Sequence, residues 1–251
     1  MLVVERLTRR FGGLVAADDV SFTVGTGEVV SIVGPNGAGK TTLFNLISGV
    51  LRPDSGRVLL EGQDITGLAP EALALRGITR TFQNIRLFQH MNALENVMVG
   101  CIGRSRSGVL DALAWLPRDR ADRAMMVAKS EALLDWVGVG DNRYRFPSEL
   151  PYGDQRRVEI ARALAAEPRI LILDEPTAGM VAREAHAVIE LIAKLRGSGL
   201  TLMMVEHNMN VVMAASDRIV VVNFGRKIAE GPPAAIRADP AVIEAYLGID
   251  E

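Results

Sequence analysis

Val29-Val30-Ser31-Ile32-Val33-Gly34-Pro35-Asn36-Gly37-Ala38-Gly39-Lys40-Thr41 decides the fold. The first five residues are an apolar, β-branched run of strand length, and Lys40 to Ser48 reads as a helix with Gly49 as its stop. Between them, Gly34 to Thr41 fulfils the pattern G-x-x-x-x-G-K-[ST] in full. A strand before this pattern and a helix after it form the context in which it binds phosphate. Glycines let backbone N–H groups curl around phosphate oxygens, and the helix N-terminus adds positive partial charge. Lys40 brings a mobile ammonium for β and γ oxygens, and the Thr41 hydroxyl can ligate Mg²⁺. A chance match in such a chain has odds on the order of 1% at ordinary residue frequencies.

Outward from that stretch, short apolar runs alternate with helix-length amphipathic segments, the pattern of an α/β fold on a mostly parallel sheet. Ile170 to Leu173, Thr201 to Val205 and Ile219 to Val222 read as further strands. Val188, Leu191, Ile192 and Leu195 recur at helical spacing after Arg183, and Gly197 is expected to end that helix. From about Arg86 to Asp154 the strand pattern stops, and amphipathic stretches such as Ala121 to Val137 suggest an inserted helical subdomain. Asp239-Pro240 is a helix start, with Asp as cap and Pro in the first turn.

Composition narrows the function classes. The 251 residues are 49% hydrophobic and 23% charged, enough apolar side chain for a filled core. A net charge of −2 lacks the basic excess of a general nucleic-acid binder, so no nucleic-acid partner is expected. One cysteine, Cys101, excludes an intrachain disulfide and fits a reducing compartment. The N-terminus has no secretion-signal pattern and no apolar run reaches the length of a membrane helix, so a soluble cytoplasmic protein is expected.

Leu171-Ile172-Leu173-Asp174-Glu175-Pro176 delivers two carboxylates at the C-terminal edge of a strand, where ligands of open α/β sheets bind. Asp174 is the candidate for Mg²⁺, and Glu175 for polarising a water as general base. Two acids there can equally be a solvated strand end; beside a complete phosphate loop, the functional reading carries most of the weight. His207 follows the strand ending in Val205. A lone histidine is usually structural, and its interest lies in its place at a third strand end. Gln83, where core gives way to insertion, is close to uninformative alone but could touch both nucleotide and hinge.

Together these motifs resemble the ATP-binding-cassette ATPase family over essentially the whole chain. Leu150-Pro151-Tyr152-Gly153-Asp154-Gln155-Arg156-Arg157, running into VEIARALAAEPRILILDEP, is similar to the family signature and its helix. The resemblance implies a phosphate-loop NTPase fold: a RecA-like, mostly parallel sheet with helices on both faces, an antiparallel β region and an inserted helical subdomain. It implies one cassette over 1–251, with 1–85 and 158–225 as α/β core, 86–157 as helical subdomain and 226–251 as a C-terminal extension. It implies ATP and Mg²⁺ as cofactors, and a head-to-tail dimer in which one phosphate loop faces the other subunit's signature. Gln83 then matches the Q-loop, with a metal contact, His207 the switch histidine and Phe11 the aromatic that stacks on adenine. Ala16, Gly34, Asn36, Gly37, Ala38, Gly39, Lys40, Thr41 and Thr42 would hold the nucleotide, and Pro151, Tyr152, Gly153 and Asp154 the partner's.

The finer likeness is to ATP-binding subunits of branched-chain amino acid importers, carried by ITRTFQNIRLFQHMNALENVMVG, by GCIGRSRSGVLDAL and by the tail EAYLGID. It implies a second ATP-binding subunit (a copy or a related cassette), two transmembrane permease subunits, indirectly a substrate-binding protein, and a place on the inner face of the cell membrane. Lipopolysaccharide-export ATPases share similar blocks, and a soluble assembly-scaffold ATPase is the reading from another class. Two positions depart from the family: Pro151 replaces the common serine, and Val181 stands where Asp or Asn usually crosses the dimer interface. Arg104, Arg106, Arg118, Arg120 and Arg123, among Asp111, Asp119 and Asp122, read as a solvated face in preference to a headgroup or permease contact. His90 and His186 have no metal-ligand partner at suitable spacing.

Overall fold

The computed structural model describes residues 1–104 and 117–247. Arg106, Asp111, most of the RSRSGVLDAL stretch and the GID of the tail lie outside the described residues.

The chain opens with an antiparallel hairpin, β1 (Leu2–Phe11) and β2 (Leu14–Val24), then enters β3 (Val29–Val33) and α1 (Lys40–Ile47). β4 (Ser55–Leu60) and β5 (Gln63–Asp64) complete a four-stranded antiparallel sheet in the order β2-β1-β4-β5. After α2 (Pro70–Leu75) come β6 (Ile78–Arg80) and the helical insertion, α3 (Ala93–Cys101), α4 (Pro117–Trp136) and α5 (Tyr152–Ala165). The core resumes with β7 (Ile170–Asp174), α6 (Ala182–Gly197), β8 (Thr201–Val205), α7 (Met209–Ala215), β9 (Arg218–Asn223) and β10 (Arg226–Gly231). α8 (Pro233–Ala238) and α9 (Pro240–Leu247) close the described chain.

The second sheet has the order β10-β9-β3-β8-β7-β6, parallel from β9 to β6 with β10 antiparallel at one edge. Period-two alternation sorts its side chains onto two faces. Val30, Ile32, Ile172 and Met203 face α1 and the antiparallel sheet, in one cluster with Leu2, Val20, Phe44 and Ile47. Val29, Leu171, Leu173 and Met204 face the other way, in one cluster with Val158, Ile160, Val188 and Ile192 of α5 and α6. Leu94, Val97 and Leu134 of the insertion join that second cluster, so the helical part shares a core with the sheet. With both faces covered, β3, β7 and β8 are buried throughout, which is why they read as continuous apolar runs.

The antiparallel sheet carries no such signal. Arg6 and Asp19 adopt positive φ, and the β1–β2 register shifts after Val4 and Leu7, so bulges break the alternation. Gly197 is the last residue of α6, as expected; Ser198 caps it, and Gly199, at φ +81°, makes the turn out. Asp239 does cap α9, its Oδ1 accepting from Ala241 N–H at 2.9 Å. No helix among the described residues is long and apolar enough to cross a membrane.

Candidate nucleotide-binding site

The phosphate loop leaves the C-terminal end of β3, the strand flanked on both sides by parallel partners. Its backbone runs so close to its neighbours that two positions accept only glycine. A Cβ on Gly34 would lie 2.0 Å from Val222 O, and one on Gly39 would lie 2.1 Å from Ala16 O. Lys40 turns back over the loop, its Nζ donating to Gly34 O at 2.7 Å and Pro35 O at 2.8 Å. Burial holds its pKa below the ordinary lysine value, while the negative charge of Glu175 pulls the other way. An ammonium so held gains from an incoming anion, since the anion restores the electrostatic partner that water no longer supplies.

Phe11, Leu14, Val15, Ala16, Asn36 to Thr42, Glu175 and Phe224 line one cleft of about 410 Å³. Of the sequence-predicted nucleotide contacts, Phe11, Ala16, Asn36, Gly37, Ala38, Gly39, Lys40, Thr41 and Thr42 are therefore together. Arg9 holds its guanidinium 4.9 Å from the Phe11 ring centroid. A larger cavity of about 760 Å³, between Met1, Trp136 and Leu200, lies elsewhere. Its lysine and arginine, Lys129 and Arg169, are tied to Glu167 and Glu61, so it offers phosphate no such cradle.

Three strand ends bring the proposed hydrolytic groups together beside that cleft; Glu175 lines it, and Gln83 and His207 reach it through Glu175. Glu175 follows β7 at φ +45°, a left-handed conformation costing about 1 kcal/mol for a residue with a Cβ. Its N–H is fixed to Val205 O at 2.9 Å. Gln83 Nε2 donates to Glu175 Oε2 at 2.8 Å, and His207 Nδ1 lies 3.7 Å from the same oxygen. Gln83, Glu175 and His207, separated by more than a hundred residues end to end, thus form one cluster.

Asp174 sits one residue back, buried at the end of β7, with Oδ2 accepting from Arg80 Nη2 at 2.6 Å. Arg80 is anchored in turn by Asn45 Oδ1 at 2.7 Å and Ser48 Oγ at 2.6 Å, both on or next to α1. Asp174 Oδ1 takes no hydrogen bond among the described residues, so one oxygen stays available to a metal or its water. The donor set fits a magnesium nucleotide. That ion takes few protein oxygens and fills its shell with water and phosphate, and Thr41, Asp174 and Gln83 supply only oxygen ligands. No group of three or more metal-binding acids, histidines or cysteines occurs among the described residues.

The signature residues are elsewhere. Pro151 precedes α5, and Pro151, Tyr152, Gly153 and Asp154 are absent from the cleft lining. Asp154 is occupied by Arg157 and by Asn142 Nδ2 at 3.1 Å. A Cβ on Gly179, at φ +74°, would lie 3.9 Å from the Tyr152 side chain, and Val181, two residues on, is exposed.

Four residues escaped the sequence reading. Arg80 was visible within RTFQN, but only the fold shows that it grips Asp174. Glu206 is fully buried; it accepts from Thr177 N–H and Oγ1, His207 N–H and Asn208 N–H, tying the His207 turn to the segment after Glu175. Arg156 is fully buried and donates to Phe82 O at 2.6 Å and Gln83 O at 2.7 Å. Phe224 lies in a turn with no motif around it.

Known proteins resemble this chain along its length. The family model described as ABC transporter matches residues 17–178, and one described as branched-chain amino acid ATP-binding cassette transporter matches 226–251. The high-affinity branched-chain amino acid transport ATP-binding protein LivG of Escherichia coli (strain K12) is 43% identical over 249 residues, covering 99% of this chain and 98% of LivG. BraF of Pseudomonas aeruginosa, named likewise, is 43% identical over 249 residues with the same coverage. Among solved structures, the ADP conformation of an ATP-binding cassette of an ABC transporter superposes with a TM-score of 0.85 at 35% identity, covering 99% of this chain and 98% of that one. A nucleotide-free ATP-binding cassette gives 0.85 at 35% identity, covering 98% of each. With its phosphate cleft, its carboxylates at the strand ends and these full-length likenesses, the chain belongs to the ABC transporter family as one of its ATP-binding cassettes.

Proposed function

We propose that this cassette hydrolyses MgATP to energise import of branched-chain, hydrophobic amino acids through a membrane permease. The observation that carries the ATPase half is the meeting of Gln83, Glu175 and His207 at the mouth of the Lys40 cleft. The cargo class is supported by the LivG and BraF likenesses and by the match at 226–251.

Catalysis is positioning plus electrostatics. Loop amides and Lys40 neutralise charge developing on the γ-phosphoryl oxygens. Mg²⁺, when bound, supplies further positive charge there, with Thr41, Asp174 and Gln83 as its protein contacts. Gln83 occupies Glu175 Oε2, so Oε1 accepts the proton of the attacking water. His207 lies next to that carboxylate and orients the departing phosphate. Arg80 keeps Asp174 aligned, and Glu206 keeps the His207 turn in place.

The working form has a second ATP-binding subunit, a copy or a related cassette, whose nucleotide meets Pro151 to Asp154. Two transmembrane permease subunits dock on the helical part, 86–157, and a substrate-binding protein delivers cargo to them. The cassette then sits on the inner membrane face through its permease. The test is reconstitution in liposomes with the co-purifying membrane subunits and binding protein. Leucine, isoleucine or valine should stimulate phosphate release several-fold over sulfate or histidine. Intact basal hydrolysis with no response to any hydrophobic amino acid would sink the cargo assignment.

A further inference from the structure

β9 and β10 are joined by a two-residue turn, Phe224-Gly225, with Asn223 and Arg226 paired across it. Both turn residues have positive φ, +45° at Phe224 and +78° at Gly225. A hairpin turn with two such residues favours Asn, Asp or Gly at its first position, because a bulky Cβ there crowds the following carbonyl. Phe224 gains nothing from burial in exchange: it is 85% exposed, the highest value of any large hydrophobic side chain among the described residues. Local conformation and solvation both disfavour phenylalanine here, and a locally disfavoured residue at a site is a pointer to function.

The turn is also fixed in place. Gly225 N–H donates to Ala38 O at 3.0 Å, Asp18 N–H donates to Gly225 O at 2.8 Å, and Arg226 Nε donates to Asp18 Oδ2 at 2.7 Å. The turn is therefore hydrogen-bonded both to the phosphate loop and to β2. Phe224 lines the same cleft as Phe11 and the loop. The polar end of that cleft suits a triphosphate, while Phe11, Leu14, Val15, Ala16 and Phe224 form an apolar end. A purine nucleoside has two faces and an apolar edge to cover, and aromatic rings bind such surfaces by stacking.

We propose that Phe224 is a second nucleotide-contacting aromatic, which packs against the nucleoside end of ATP while the adjoining loop holds its phosphates. It complements Phe11, whose ring is already engaged by Arg9. The inference rests on the ATP reading of the site and names a further affinity determinant within it.

Isothermal titration of the purified chain with MgATP and with inorganic tripolyphosphate separates the nucleoside end from the phosphate end. Phe224→Asn removes the ring but suits the turn. It should melt no lower than wild type, bind ATP about tenfold more weakly and bind tripolyphosphate unchanged. Phe224→Trp should keep wild-type ATP affinity. ATP binding by Phe224→Asn within twofold of wild type would overturn the proposal. So would equal weakening of both ligands, since that is the mark of a displaced loop. Wild-type protein that bound neither ligand would instead remove the nucleotide reading itself, and this inference with it.

Discussion

The phosphate loop and the Gln83 loop meet at Glu175, yet opposite means hold them. Backbone contact locks the first: Gly34 and Gly39 leave no room for a single carbon against Val222 O and Ala16 O. Buried charge holds the second. Arg156, on α5, takes the carbonyls of Phe82 and Gln83, while Glu159, one turn on, pairs with Arg156 at 2.7 Å and faces the N–H groups of Phe82 and Arg86, each at 3.4 Å. Steric locking permits one arrangement. A loop gripped by a helix goes where that helix goes. Hydrogen bonds thus run from α5 to the Gln83 backbone and, through one bond of 2.8 Å, from the Gln83 side chain to the oxygen of Glu175. One loop is thus fixed by the absence of side chains, and the other by a clamp of two buried side chains on the insertion.

The largest expected effect falls where the two loops meet. Glu175→Gln should lower phosphate release about 10³-fold while leaving ATP affinity near wild type, as loss of a general base requires. A variant retaining more than half of wild-type turnover would take Glu175 out of its role. Next comes the clamp. Arg156→Met leaves Glu159 buried without its partner, and urea unfolding should show a loss of about 3 kcal/mol. Removing both charges with Arg156→Met and Glu159→Leu should recover much of that loss but still uncouple permease-stimulated hydrolysis. Full coupling in the double variant would refute the clamp.

Glu206→Gln should act more mildly, lowering stability by about 1–2 kcal/mol, because an amide cannot accept all the N–H and hydroxyl donors that converge there. The smallest effect is a pH slope. Burial lowers the pKa of Lys40 in the free protein, and the negative charge of phosphates beside it would raise it again. ATP affinity is then complete at pH values below the lowered pKa. It declines, by less than about tenfold, as pH rises through that value toward the ordinary lysine range. Calorimetry across that alkaline window should show the slope, and Lys40→Arg should flatten it.

Buried parallel strands were legible because β3, β7 and β8 face protein on both sides, so apolar character is continuous. Motif order along the chain also identified Gln83, Glu175 and His207, which then meet in space. What stayed illegible depends on distance. Arg80 matters because β6 lies beside β7 and faces α1, a relation no local pattern encodes. Arg156 lies on a helix surface where arginine is usually solvated; only the packing of α5 buries it. β1 and β2 hid behind charges and bulges. Val181, where the resemblance expects a polar residue at a dimer interface, is exposed.

β3 also has a consequence for how the protein comes into being. The segment around it is completed by partners made much later: Gly27 N–H donates to Thr201 Oγ1, 174 residues on, and Val29 N–H to Asp217 Oδ2, 188 residues on. A ribosome adding about 5–20 residues per second needs on the order of ten to thirty seconds to cover that gap. During that interval β3 has no neighbour on either edge, since its two partners are β8 and β9. Until β8 and β9 emerge, the strand that feeds the phosphate loop lacks both sheet partners, so nucleotide can stabilise that loop only in a chain whose synthesis is nearly done.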